Sequence, residues 1–195
     1  MTGATKEALE QQQYLSFLLT NEECAISILK VREIIEYDAV TTVPKMPQWV
    51  RGVINLRGAV VPVVDLAAKF GMEQKRVSKT TCIVIVETQF ESQETIVGLI
   101  VDAVSQVMEL SAEDIRPVPD FGTRVEMDYL IGMAQSGRKF ALLLDVDKVL
   151  TTQELHDLSE VSAYAENALA RQFSQEETPV LDLAKAGGNQ EFQAE

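Results

Sequence analysis

Apolar residues recur along most of the chain with a period of two rather than 3.6. Residues 14–19, Tyr-Leu-Ser-Phe-Leu-Leu, read as a strand, and Asn21-Glu22-Glu23 as its turn. From Cys24 the chain continues extended to residue 35, with Cys24, Ile26 and Ile28 alternating against Ala25, Ser27 and Leu29. Further strand-length runs rich in Val, Ile and Leu occupy 53–56, 59–66, 80–87, 95–101 and 138–145, bounded by Gly, Asn, Asp or charged clusters. Arg57-Gly58 and Ser136-Gly137 are placed as hairpin tips. Residues 31–37 are assigned as strand or strand end. Many short strands with little helix between them predict barrels or sandwiches, not a parallel sheet flanked by helices.

The pattern repeats once. Gly52 leads into a hairpin and an apolar strand ending at Asp65; Gly132 leads into a second hairpin and an apolar strand ending at Asp145. Upstream of the first lie Pro44 and Pro47, and upstream of the second Pro117 and Pro119. Further upstream, Val31-x-x-Ile34 matches Val104-x-x-Val107. Two related small β-barrels would produce this order. Asp65 and Asp145, at matching strand ends, are read as caps for turn amides rather than as a catalytic pair.

The period changes near Thr151. Thr151-x-x-Glu154 has the form of a capping box, and Leu155, Leu158, Val161, Ala165 and Phe173 follow at helical spacing. This predicts a C-terminal helix, packed on a barrel or serving as a docking helix. Charge shifts at the same place. Residues 1–151 hold 21 acids and 15 bases, a net of −6; residues 152–195 hold 9 and 2, a net of −7. The expected organisation is a flexible N-terminus over 1–12, a β domain over 13–151, and a helix with an acidic tail over 152–195. Val180-Leu181-Asp182-Leu183 stands out as a short apolar run in that tail.

The total charge of −13 argues against nucleic acid and against an anionic membrane surface. No run is apolar and long enough to span a bilayer, and the polar N-terminus does not resemble a signal peptide. A cytoplasmic protein is expected, with Cys24 and Cys82 as buried free thiols. Catalytic chemistry finds few candidates. The single histidine, His156, falls in the acidic helix, so Ser-His and Cys-His arrangements are unavailable in the β region. No phosphate loop or metal-ligand spacing occurs, and no cofactor or metal is expected.

That leaves surfaces. Arg57 at a hairpin tip is held out by the backbone and can meet a carboxylate with two N–H groups. Val31, Ile34 and Ile35, flanked by Glu33 and Glu36, fit either half-buried core or a docking patch. Trp49 fits core or a barrel lid.

The run from Pro44 through Gly52-Val-Ile-Asn-Leu-Arg-Gly to Pro62-Val-Val-Asp-Leu66 closely resembles the CheW family of chemosensory coupling proteins. The resemblance continues in Ile28–Ile34, Val97–Val104, Ile115–Pro119 and Leu143–Leu150, covering about residues 13–151. It implies a mainly β fold of two five-stranded SH3-like barrels around a shared apolar core. It implies a non-catalytic adaptor between methyl-accepting chemoreceptors and the regulatory domain of a CheA-type histidine kinase, with self-association in rings. Such a protein is cytoplasmic, at membrane-associated arrays, without inserting into the membrane. The kinase-facing surface is expected to include Val31, Glu33 and Gly52. The receptor-facing groove is expected to include Arg57, Gly98, Val104 and Val107. The alternatives are an adaptor of a pilus-type or other non-flagellar pathway, and a small-molecule-binding regulatory barrel.

Overall fold

Runs that are apolar on both faces must be covered on both faces, and this requirement organises the whole β region. The computed structural model describes residues 11–38, 40–90, 93–119 and 125–175, with the side chains of 90, 93 and 169–175 excepted. Ten strands form two five-stranded sheets, in a mainly β, SH3-like arrangement. Sheet A has the order β8 (Ala103–Leu110), β1 (Gln12–Leu19), β2 (Glu22–Ser27), β10 (Lys139–Leu144), β9 (Leu130–Ser136). Sheet B has the order β3 (Val31–Glu36), β6 (Cys82–Phe90), β7 (Gln93–Val101), β5 (Ala59–Asp65), β4 (Val50–Leu56). In each sheet the middle strand makes one parallel pair, β2 with β10 and β7 with β5, and the other pairs are antiparallel. The end strands of each sheet do not pair with one another, so both sheets stay open rather than closing into barrels.

The internal repeat is visible residue by residue. Gly52 and Gly132 differ by 80 in number, and so do Asp65 and Asp145. The pairs Val53–Pro62 in β4–β5 and Met133–Leu142 in β9–β10 follow the same shift. So do the short helices α1 (Leu66–Lys69) and α2 (Val146–Val149), each capped by its aspartate. Asp65 accepts from the amide of Ala68 at 3.0 Å and Asp145 from that of Asp147 at 3.2 Å, in the capping role expected of them. The sequence repeat is nevertheless not the folding unit. The first hairpin, β1–β2, joins the second repeat's β8, β9 and β10, while sheet B is contiguous from β3 to β7. The chain changes sheet between β2 and β3 and again between β7 and β8.

Each sheet presents one face to its own interior and the other to a shared core. Ala25, Ala141 and Leu143 turn into sheet A with Tyr14 and Met108, whereas Cys24, Ile26, Leu142 and Leu144 face sheet B. In sheet B, Val63, Ile83 and Ile85 turn inward and Val64, Val84 and Val86 meet sheet A. This explains why these runs read as continuously apolar. Helix α3 (Thr152–Gln175) starts with the predicted capping box: Glu154 accepts from the Thr151 amide at 2.8 Å and Thr151 Oγ1 from the Glu154 amide at 3.3 Å. Leu155 and Leu158 enter the shared core, and Val161 covers Val53 and Val60 on β4–β5. The helix therefore packs on sheet B.

Several expectations are corrected. The second hairpin loop is Gly137-Arg138, because Ser136 pairs with Lys139 as the last residue of β9. The extended run from Cys24 is broken by a 3-10 turn at Ile28–Lys30, where the chain crosses sheets. The first strand, β1, begins at Gln12. Cys24 is buried, but Cys82 is only half-buried. Residues 1–10 and the run Val180–Leu183 lie outside the described residues. Among the described residues no helix is long and apolar enough to cross a membrane.

Candidate protein-interaction site

The β4–β5 hairpin closes with two residues, Arg57 (φ 54°) and Gly58 (φ 93°), the left-handed pair that a tight hairpin needs. Asn55 Oδ1 accepts from the Gly58 amide at 2.8 Å and steadies the turn. The geometry thrusts Arg57 outward, with 80% of its side chain exposed. Its Nη2 donates to Glu33 Oε2 at 2.8 Å. Glu33 lies on β3, an edge strand whose outer residue Ile34 is also exposed. Arg57 and Glu33, expected on two different faces, are thus in direct contact.

Gly52 has a structural reason to be glycine. Its φ is 140°, and a Cβ there would sit 2.0 Å from the carbonyl oxygen of Thr41. The connector crosses β4 at this point, with Thr41 and Val53 exchanging two 2.9 Å backbone hydrogen bonds. The second repeat does the same: Arg116 bonds Met133, and a Cβ on Gly132 would lie 2.8 Å from the Arg116 carbonyl. Gly98 is buried inside sheet B, where a Cβ would meet Ile83 Cγ2 at 2.8 Å. It presents no surface of its own, so any influence on a partner passes through the path of β7.

Val31 and Val104, matched in the repeat, lie at the starts of the edge strands β3 and β8, as first and second residue, and both pack against the shared core. Val107 is 49% exposed on β8. The seven expected residues therefore divide three ways. Glu33 and Arg57 form one surface pair; Val31, Val104 and the exposed Val107 lie on the edge strands β3 and β8, the first two at the seam between sheets; Gly52 and Gly98 serve packing.

The sequence reading missed Leu29, 88% exposed in the crossing turn just ahead of Val31. The alternation through Cys24–Leu29 could not flag it, because the 3-10 turn resets the phase. It also missed the side chains that hold α3. Lys69 Nζ pairs with Glu154 and lies 4.8 Å from the Trp49 ring centroid, with Tyr129 beyond at 6.0 Å. Trp49 is partly buried against the shared core, the first of its two expected roles. A groove of about 260 Å³ remains between α3 and the hairpin, lined by Val43, Pro44, Ile54, Val60, Tyr164 and Ala168 among others.

Ionisable groups in these elements are tuned for structure. Burial pushes the Cys24 thiol up to about 12, with Glu22 and Glu23 adding to the effect. Burial also raises Cys82. For Asp147, burial alone would raise the carboxyl, but Lys30, the Gln89 amide and the Thr88 hydroxyl outweigh it and hold it below the usual range. His156, Asp157 and Glu160 form a group on one turn of α3, with potential ligand atoms within 4.8 Å of one another. Exposed acidic groups of that kind are common without an ion.

Residues 13–154 match the family model of the CheW-like domain. The chain belongs to the CheW family. The chemotaxis protein CheW of Klebsiella aerogenes is 39% identical over 144 residues, covering 74% of this chain and 84% of that protein. The chemotaxis protein CheW of Rhizobium meliloti is 36% identical over 155 residues, covering 79% and 97%. Among solved structures, the scaffolding protein TtCheW from Thermoanaerobacter tengcongensis superposes with a TM-score of 0.65 at 30% identity, covering 74% of this chain and 97% of that one. The CheW match ends three residues into α3, so most of this helix extends beyond the family's shared region.

Proposed function

We propose that this chain is a non-catalytic chemosensory adaptor. It joins the cytoplasmic tips of methyl-accepting receptors to the regulatory domain of a CheA-type histidine kinase, at membrane-associated arrays. The observation that carries this reading is the Asn55–Leu66 run, folded as a tight hairpin that sets Arg57 at the surface against Glu33. A receptor tip offers a helical surface with an apolar stripe and charges beside it. The β8 edge supplies Val104 at the seam and the exposed Val107 for the stripe, and Arg57 a charge-assisted contact at the rim. The kinase-facing contact uses the β3 edge, with Val31 and Glu33. Gly52 supports it by letting the connector pass close to β4. Function is then a coupling free energy between two interfaces rather than chemistry.

The test is calorimetric binding of a receptor tip fragment and of the kinase regulatory domain, separately, to the full chain and to Arg57→Glu. The substitution breaks an exposed ion pair and places a second acid beside Glu33. It should leave stability within about 1 kcal/mol and weaken receptor binding about tenfold. An unfolded Arg57→Glu protein, or unchanged receptor binding, contradicts the role given to Arg57. A second reading is an adaptor of a pathway other than flagellar chemotaxis, in which the same two surfaces would meet a different receptor and kinase. The groove beside α3 is what a small-molecule regulatory role would use. Saturable ligand heat with no receptor binding would favour that role.

A further inference from the structure

The passage from β2 to β3 is held from outside by one carboxylate. Asp147, on α2 directly after sheet A's β10, accepts from Lys30 Nζ at 2.6 Å. The same carboxylate accepts from Thr88 Oγ1 at 3.1 Å and from the Gln89 amide at 3.1 Å. Lys30 is the last residue of the crossing turn and precedes Val31; Thr88 and Gln89 belong to β6 of sheet B. One residue earlier on β6, Glu87 pairs with Arg32 of β3 at 3.1 Å. The end of sheet A, the crossing and β6 of sheet B therefore meet at a single side chain, with β3 tied to β6 beside it. The other crossing is tied differently. Asp102 accepts from the Thr20 amide at 2.6 Å, and its own amide donates to the Leu18 carbonyl at 2.9 Å, both in the β1–β2 hairpin; Lys75 reaches it at 3.5 Å.

We propose that Asp147 and Lys30 are positioning residues that fix the angle between the two sheets and so carry a displacement at one partner surface to the other. The coupling half of this proposal rests on the adaptor reading; the joint itself does not. The shared core holds the sheets together by apolar contact, which is non-directional and tolerates small slips. A carboxylate with three donors from two elements has a set direction and resists such slips. Without it the core still keeps the sheets packed, and each surface keeps its own shape. What is lost is the fixed relation between the seam and β3. Asp147 touches neither expected partner surface, so its effect on a partner acts through Lys30 and β6.

The experiment uses the full chain with Asp147→Asn and Lys30→Met as breaking variants and Lys30→Arg as the conservative control. Nitroxide labels at Arg138→Cys in the β9–β10 loop of sheet A and Glu94→Cys on β7 of sheet B, on a Cys82→Ser background, report the distance between sheets. Wild type and Lys30→Arg should give one narrow distribution, and the breaking variants a broad or double one. Binding of each isolated partner should stay within about twofold of wild type, while receptor-driven change in kinase activity falls at least about fivefold. A narrow distribution in both breaking variants overturns the joint. A broad distribution with undiminished receptor control overturns its coupling role. A wild-type chain that binds no receptor while its distances respond as described overturns the adaptor reading and the coupling role with it, and leaves the joint established.

Discussion

At the scale of single residues, two glycines in one hairpin do different work. Gly52 is locked by a backbone neighbour, whereas a Cβ on Gly58 would meet open space. Gly52→Ala should therefore cost about 3 kcal/mol or more, and Gly58→Ala about 1 kcal/mol. Thermal unfolding of the two variants checks this; equal losses would mean that the Thr41 contact is relieved without penalty. A loss of kinase binding in Gly52→Ala is consequently no measure of a surface contact. Asp147 makes the second residue-scale prediction. Its folded-state carboxyl lies below its unfolded value of about 3.9, so its stabilisation is complete above that value and is lost as pH falls through the folded one. Asp147→Asn should lower stability at pH 7 and make little difference in strong acid. Urea unfolding midpoints across that range decide it, and a constant difference at all pH values would contradict the assignment. Arg57 was legible in the sequence as an exposed hairpin arginine. Its partner was not, because Glu33 lies 24 residues away on a strand that the sequence places only loosely.

At the scale of elements, the strands and their bounding turns were legible because short β-branched and Leu-rich runs between turn residues fit buried strands even where both faces are covered and alternation is lost. The short helices were not: four residues after a strand-ending aspartate carry too little pattern for a 3.6 period to show. The crossing turn was hidden for a related reason, since Ile28-Leu29-Lys30 fits a strand as well as it fits a 3-10 turn. Helix α3 was legible from its capping box and apolar stripe, but the choice between packing and docking needed the fold. It is a packed element: Leu158 is fully buried in the shared core, and Val161 closes over Val53 and Val60. Leu158→Ala should cost about 3 kcal/mol, a fall in Tm of roughly 6–12 °C. A fall under about 2 °C would indicate that the helix seats only loosely on sheet B.

At the scale of the whole molecule, the repeat in the sequence correctly announces two like sheets, with equal hairpin registers, caps and connectors. It does not announce that the hairpins are exchanged, since a shift of 80 along the chain holds whichever sheet β1–β2 joins. That exchange passes the chain between sheets twice and forces the two halves to fold on each other. A protein built this way has a shared core, edge strands β3 and β8 with matched valines at the seam, and no separable half. Such a body suits a part that must hold two partners in a fixed relation. The most direct test is co-sedimentation of the full chain with a receptor signalling fragment and a CheA-type kinase from the same cell, with kinase activity followed in parallel. The adaptor account predicts that the kinase sediments with the receptor, and responds to it, only when this chain is present. Kinase that assembles with the receptor and obeys it equally well without the chain would contradict the account.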